Sequence, residues 1–406
     1  MTVQTTAVVL LLVAAVVAIL TQKVGWPYSV GLVVAGIILS LLPFPSQITL
    51  TRELLFGTLL PPLIFEAALS LDWHELRRDL GLIVVLATLG VLVSAAITAS
   101  GMHVLAHWPW LSATAFGILI AATDPVSVIA VFREAGVRGR LRLLVESESL
   151  FNDGTAAVGF GLVMSLAAGG SLSGFDIAAA ALTAMAGGLL CGAVVAAVIL
   201  SLVGRTEDHL IELTFTTVAA YGSFMFAEYF HVSGVLATLT AGLLMGNAGG
   251  LHVLSERGRV AVQAFWKYIA FLANSLIFLL IGMQQAQLNY RQASLPILAA
   301  IALVMAGRAA AVYPSCLIFV RTSRRVSISH QHVLFWGGLR GGLALALALG
   351  LPETLPFRGQ IITVSFGVVA FSIFAQGLTM TPLLRAVGEI PRRAEKSART
   401  QPAGVE

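Results

Sequence analysis

Charged residues are scarce in this 406-residue sequence: Asp, Glu, Lys and Arg make up 11% of it, against roughly 25% in a typical soluble domain. Hydrophobic residues account for 58%, and the mean hydropathy is +0.91. Too few polar groups are present to cover a water-exposed surface. The composition excludes an ordinary soluble domain and predicts an all-α integral membrane protein, with lipids as its surroundings and no nucleic acid as a partner.

Cysteine is also scarce, with only Cys191 and Cys316, and both lie in apolar runs. No Cys/His set has the spacing of a zinc site, so neither a disulfide framework nor a resident metal or other cofactor is expected. The N-terminal segment lacks the basic residues of a signal peptide. We therefore expect the first apolar run to be a spanning helix.

Apolar runs of about 20 residues mark spanning helices, and the sequence contains thirteen candidates. They lie near residues 5–22, 27–43, 53–71, 80–105, 110–132, 141–168, 175–203, 208–230, 233–247, 260–285, 294–320, 331–350 and 359–386. The ninth is short, and its boundary with the eighth is the least distinct.

The distribution of Lys and Arg over alternate loops supports this number of spans. Of the 24 Lys and Arg residues, eighteen lie in loops on one side of the membrane and three lie at or within spans. The loops on the other side contain three, Arg52, Arg291 and Arg358. The positive-inside rule places the basic side in the cytoplasm, which puts the N-terminus outside and the C-terminus inside. We expect a multi-pass protein of the plasma (inner) membrane, with residues 1–387 forming the transmembrane domain and 388–406 a short, disordered cytoplasmic tail.

The fifth span contains Thr123, Asp124 and Pro125 in mid-membrane. Proline has no N–H and clashes with the preceding turn, which frees backbone carbonyls near the helix centre. Interrupted helices at this depth line cavities and form ion sites in transporters. A simple proline kink is the alternative.

The sixth span carries several polar residues on two stripes. At 100° per residue, Ser149 and Asp153 share one stripe, while Glu148 and Asn152 share another. We expect Asp153 to face a cavity and Glu148 to face a neighbouring helix as a structural charge. A merely paired, structural role for Asp153 is the alternative. Glu146 is expected to lie near the cytoplasmic end, where water or Arg142, one turn earlier, satisfies it.

The twelfth span places Gly337, Gly338, Gly341 and Gly342 around Arg340. Glycines at this density disfavour a continuous helix and allow close backbone approach. The pattern predicts a second interrupted helix, with close helix packing as the alternative. Two interruptions in different halves of the chain are typical of inverted repeats with a binding site at mid-membrane.

Three other charged residues lie in apolar spans. Glu66, in the third, either supports the site or reaches the interface from a helix end. Arg308, in the eleventh, is a natural partner for Glu148, because a buried charge requires one. Lys267, in the tenth, is expected to extend its ammonium group to the membrane interface.

The motifs AATDPVSVIAVF, ESESLFNDGTA, PPLIFEAAL, FLANSLIFLLIGM and GGLRGGLALAL resemble the sodium/proton exchangers of the monovalent cation:proton antiporter-1 family, in particular its bacterial and archaeal NhaP-like members. The resemblance runs through nearly the whole chain. It implies a homodimer that works by alternating access. Each subunit would have a dimerisation domain (spans about 5–71 and 208–285), a linker helix (175–203) and a core (about 80–168 and 294–386) in which broken spans 5 and 12 cross.

The resemblance also implies roles for individual residues. Asp153 would bind cation and proton in turn. The residues expected to bind the ion or the proton are Asp153, Asp124, Ser149, Thr123, Asn152 and Glu66, with Asp153, Asp124, Ser149 and Thr123 as the Na+ ligands. Glu148 would pair with a core arginine, either Arg308, which we prefer, or Arg340, which would steady the broken twelfth span.

The expected function is exchange of Na+ for H+, without enzymatic activity. Related electrogenic exchangers carry a second acid at the position of Asn152, so the neutral amide predicts electroneutral one-for-one exchange. Exchange of K+ or Li+ by the same machinery is the nearest alternative, because oxygen ligands do not fix the ion's size. A cation channel and a Mg2+-dependent enzyme acting on lipid phosphates are more remote.

Overall fold

A computed structural model describes residues 3–42, 49–170, 173–247, 254–322 and 324–390. These residues form helices and connecting segments, with no β-strand among them. The predicted tail lies outside the described residues from position 391 onward. The coarse prediction of an all-helical membrane protein is confirmed.

Fifteen helices are named here in chain order. They are α1 (Val3–Val24), α2 (Tyr28–Leu41), α3 (Arg52–Ser70), α4 (Trp73–Ala106), α5 (Trp110–Leu119), α6 (Val126–Ala135), α7 (Arg140–Ala167), α8 (Gly174–Val203), α9 (His209–Tyr229), α10 (Gly234–Asn247), α11 (Glu256–Gln285), α12 (Tyr290–Ile318), α13 (Ile328–Trp336), α14 (Gly342–Leu349) and α15 (Arg358–Ala386).

Within the described ranges, nine helices are long and apolar enough to cross a membrane: α1, α3, α4, α7, α8, α9, α11, α12 and α15. The others are shorter. Helix α4 extends further than the predicted span, because it begins at Trp73 rather than near residue 80. The Asp72 carboxylate caps it by accepting the backbone N–H groups of His74 and Glu75, at 2.7 and 3.1 Å.

The fifth and twelfth predicted spans are each interrupted. Helix α5 ends at Leu119 and α6 begins at Val126, while α13 ends at Trp336 and α14 begins at Gly342. The backbone N–H of Asp124, in the first interruption, donates to the carbonyl oxygen of Leu339, in the second, at 2.8 Å. The two non-helical segments therefore satisfy part of each other's backbone hydrogen bonding inside the protein.

The helices pack in two sets. In the first set α2 packs on α1 and α11, and α10 packs on α3, α8 and α9. In the second set α4 packs on α5, α7 and α12, and α15 packs on α6, α12 and α14. Small residues permit close approach where α2 meets α11, since a Cβ at Gly36 would overlap the Leu279 carbonyl. The cavity described next lies where members of the two sets meet.

Candidate functional site

A cavity of about 240 Å3 lies beside the two helix interruptions. Residues of α2, α3, α7 and α11 line it together with both interrupted segments. Its ionisable and hydroxyl-bearing lining residues are Tyr28, Glu66, Thr123, Asp124, Glu146, Asp153 and Lys267. Four of the six predicted ion- or proton-binding residues, Glu66, Thr123, Asp124 and Asp153, are therefore brought to one cavity.

Asp153 reaches this cavity from the middle of α7. Its Oδ1 atom is buried and has no hydrogen-bond partner among the described residues. An unpaired carboxylate oxygen is costly to bury, and such an oxygen is normally satisfied by a proton, an ion or a donor group. The site therefore has one acidic oxygen available to a small ligand.

The first interruption is held by two side chains of α7. The amide of Asn152 accepts the Thr123 backbone N–H at 3.2 Å and donates to Thr123 Oγ1 at 2.6 Å. The Ser149 hydroxyl donates to the Thr123 carbonyl oxygen. These bonds replace those that the broken helix cannot make. Ser149 and Asn152, which were predicted to bind the ion or proton, are buried and bound to Thr123 and are not among the cavity-lining residues.

A buried ion pair lies next to this network. Arg308 donates from Nη1 to Glu148 Oε1 at 2.7 Å and from Nη2 to Glu148 Oε2 at 2.9 Å. Both side chains are almost fully buried, and Arg308 also donates to the Leu334 carbonyl oxygen at 2.8 Å. The fork geometry satisfies both charges without water. Of the two arginines that the sequence left open, Arg308 is the partner of Glu148.

Arg340 lies in the second interruption and is 1% exposed. It donates from Nη1 to the Gly338 carbonyl oxygen at 3.2 Å, and it takes part in none of the ion pairs among the described residues. Gly338 and Gly341, on either side of Arg340, leave room for neighbouring charged side chains. A Cβ at Gly338 would overlap the Arg308 guanidinium, and one at Gly341 would overlap the Asp124 carboxylate.

Two further charged residues line the cavity. Glu146, for which water or Arg142 was the expected partner, is 7% exposed and forms an ion pair with Arg142 at 3.5 Å, so the arginine is its partner although the expected solvation is not observed. Lys267, expected to reach the membrane interface, is exposed and also lines the cavity from α11. The helical repeat could have indicated this position, because Lys267, Asn274 and Ile277 lie on one face of α11 and all line the cavity.

A family model described as "sodium/hydrogen exchanger, transmembrane" matches residues 9–386. The chain belongs to this family. Exchangers are transporters, so membership argues against the lipid-phosphate enzyme that the sequence left open.

Relatives of this exchanger have names that agree with the family. It is 39% identical over 376 residues to the Na+/H+ antiporter ApNhaP of Aphanothece halophytica, covering 91% of this chain and 71% of that protein. It is 32% identical over 395 residues to the Na+/H+ antiporter NhaH of Halobacillus aidingensis, covering 93% and 96%. The NhaP-like resemblance found in the motifs is confirmed.

The fold of the exchanger matches a solved structure, the sodium proton antiporter MjNhaP1 from Methanocaldococcus jannaschii, with a TM-score of 0.75. The match covers 94% of this chain and 98% of that one, at 19% sequence identity. At this identity the likeness establishes the fold.

The described part of the exchanger contains no group of three or more His, Cys, Asp or Glu side chains placed to hold a metal ion. The predicted Na+ ligands are of a different kind, since they combine carboxylates with the oxygens of Thr123 and Ser149. Oxygen ligands of mixed type suit a hard cation. Such a cation would be the transported substrate rather than a resident cofactor.

Proposed function

We propose that the protein exchanges Na+ for H+ by alternating access, with Asp153 binding the two ions in turn. The observation that carries this proposal is the buried, unpartnered Oδ1 of Asp153 in a cavity at two helix interruptions. The names of the relatives favour sodium over potassium as the cation.

Competition for one carboxylate couples the two fluxes. An ionised, empty carboxylate is costly to carry through the low-dielectric interior, whereas the same group neutralised by H+ or Na+ is much less so. Only the loaded carrier then changes its access from one side to the other. The empty carrier does not change its access, so neither ion can cross the membrane without exchange for the other.

The residues around Asp153 have two kinds of role. Asp124, Thr123 and Glu66 supply further oxygens to the cation, and Ser149 and Asn152 act through Thr123 by holding its backbone and hydroxyl in place. The ion pair of Glu148 with Arg308 and the charge of Arg340 hold the two interruptions together. Neither the ion pair nor Arg340 binds the transported Na+ or H+ in this scheme.

One proton exchanges for one Na+ in this scheme. Of these two neighbours on α7, Asn152 and Asp153, only Asp153 lines the cavity, whereas the neutral amide of Asn152 is bonded to Thr123 and Glu148. Asp153 is then the one exchangeable carboxylate at this point of the helix. The cycle is then electroneutral and insensitive to the membrane potential.

The wider architecture follows the same proposal. The fifteen helices and half-helices correspond to thirteen spans, with α5–α6 and α13–α14 as crossing broken spans related by an inverted repeat. A dimerisation domain (spans about 5–71 and 208–285), a linker helix (175–203) and a core (about 80–168 and 294–386) make up each subunit of a homodimer. In the plasma membrane the N-terminus lies outside and the C-terminus, with the tail 388–406, in the cytoplasm.

Dye-monitored proton flux in proteoliposomes, with the membrane potential clamped, tests the function. Na+ is expected to drive proton movement more effectively than K+, and the rate is expected to be unchanged when the clamped potential is varied. Asp153→Asn is expected to abolish the flux without unfolding the protein, while Glu207→Gln, which neutralises an exposed loop acid, keeps it. Sodium-driven flux retained in Asp153→Asn contradicts the proposal, and flux driven by the potential alone indicates a channel.

A further inference from the structure

A second cavity, of about 310 Å3, adjoins the one that contains Asp153. Its lining includes Glu66, Asp72, Asn247, Gln263, Trp266 and Lys267. Two residues, Glu66 and Lys267, line both cavities. The junction between the cavities is therefore flanked by a carboxylate on α3 and an ammonium group on α11.

The same two helices form walls of both cavities. On α11, Gln263 and Trp266 lie on the second cavity, and Ala270 and Asn274 lie on the first, with Lys267 between them. This spacing of three to four residues is one face of a helix. The two cavities therefore follow one continuous helix face, along which Lys267 is the only ionisable residue among those lining them.

The second cavity leads away from Asp153 toward a particular side of the membrane. It reaches Asp72, which caps the first turn of α4, and Asn247, the last residue of α10. Arg77 and Arg78 follow Asp72 within two turns. By the positive-inside rule this side is the cytoplasmic one. The two cavities thus form a route between Asp153 and the cytoplasmic side.

We propose that Lys267 sets the cation affinity of this route, with its positive charge lowering the affinity of the cytoplasmic-facing site for Na+. The proposal rests on the proposed exchange function and deepens it. A charge beside a cavity acts on an ion inside it, because the protein walls focus its field. Lys267 opposes a cation at the junction, and Glu66 on the opposite helix attracts it.

The consequence is a site that loads Na+ from the cytoplasm only at high concentration and releases it readily. The exposed Lys267 side chain also fits the simpler role of a lysine that reaches the lipid headgroups. That role predicts no effect on ion affinity, so the two are separable by kinetics.

The test is the Na+ dependence of exchange in proteoliposomes, measured with Na+ on the cytoplasmic face. Lys267→Gln is expected to lower the KM for Na+ by about three- to tenfold, the size of effect that one charge has across a partly aqueous gap. The turnover number kcat is not expected to rise. Lys267→Arg keeps the wild-type KM. Raising the ionic strength with an inert salt is expected to reduce the difference, because salt screens the charge.

Arg257→Gln is the matched control, since it removes an exposed cation from the same helix and Arg257 is absent from both cavity linings. Its KM is expected to equal the wild-type value. An unchanged KM in Lys267→Gln, or an equal fall in Arg257→Gln, overturns the proposal. The function itself fails separately, if the wild-type protein shows no sodium-driven proton flux at all.

A second variant covers the case in which Lys267→Gln does not fold. Lys267→Cys, with Cys191 and Cys316 replaced by serine, is expected to show the lowered KM. Modification with a positively charged methanethiosulfonate restores the wild-type KM, and a neutral reagent of similar size does not. A KM that neither the substitution nor the charged reagent alters contradicts the proposal.

Discussion

The backbone N–H of Asp124 donates to the carbonyl oxygen of Leu339 at 2.8 Å, so the two helix interruptions are joined although 215 residues separate them in the chain. The bond joins the segment that carries Asp124, an acidic residue lining the cavity, to the segment that carries the buried Arg340. The hydrogen bond therefore holds the two interruptions against each other at this point.

Gly341→Ala is predicted to abolish exchange. A Cβ at position 341 would overlap the Asp124 carboxylate and also the Asp124 Cβ. Asp124 therefore could not make room by turning the end of its side chain alone. Gly359→Ala is the matched control, because a Cβ there meets no atom within 4 Å and the position is in the first turn of α15. Proteoliposome flux of the two variants checks the prediction, and wild-type flux in Gly341→Ala would show that the close approach is not required.

Glu148→Gln is predicted to destabilise the folded protein by about 3–5 kcal/mol, because it leaves the buried Arg308 guanidinium without a counter-charge. Thermal unfolding in detergent measures the change. Glu75→Gln, at an exposed position on α4, is expected to leave the unfolding temperature nearly unchanged.

The double variant Glu148→Gln with Arg308→Met separates a lost ion pair from general disruption. Removing both charges is expected to recover part of the stability, since no unpaired charge remains. Strictly additive losses in the double variant would contradict a direct pair.

Asn152→Asp is predicted to lower stability and to leave the residual exchange electroneutral. The Asn152 amide donates to Thr123 Oγ1 at 2.6 Å and to Glu148 Oε1 at 3.1 Å, and an ionised Asp cannot donate and repels Glu148. An acid here accompanies electrogenic exchange in related proteins, but at this position it would be turned toward the Glu148–Arg308 ion pair, so it would not supply a second exchangeable site. A potential-sensitive dye in the same proteoliposomes measures the charge moved, and sodium-driven charge movement in Asn152→Asp would contradict this account.

Much of the helical layout could be predicted from the sequence, because hydropathy marks apolar helices and residues such as Pro125 and the glycines beside Arg340 interrupt them. The early start of α4 was missed because its first turn is polar. The pair Asp72 and Glu75 has the spacing of an N-terminal capping motif and was the available signal.

Contacts between segments far apart in the chain were harder to predict from the sequence. Helical geometry separated the two faces of α7, but it did not show that Ser149 and Asn152 would bind Thr123, or which arginine Glu148 would meet. Those contacts depend on the relative rotation and depth of helices far apart in the chain. The contribution of Lys267 to a cavity could not be predicted for the same reason, since one residue's hydropathy does not show whether its helix face lines a cavity.

The pH dependence of Na+ affinity tests the central claim most directly. If H+ and Na+ compete for Asp153, the KM for Na+ measured in proteoliposomes rises as the pH falls, approaching about tenfold per pH unit on the acidic side, while kcat stays the same. A KM that does not change with pH, with activity lost through kcat alone, would show that the two ions do not share the Asp153 carboxylate.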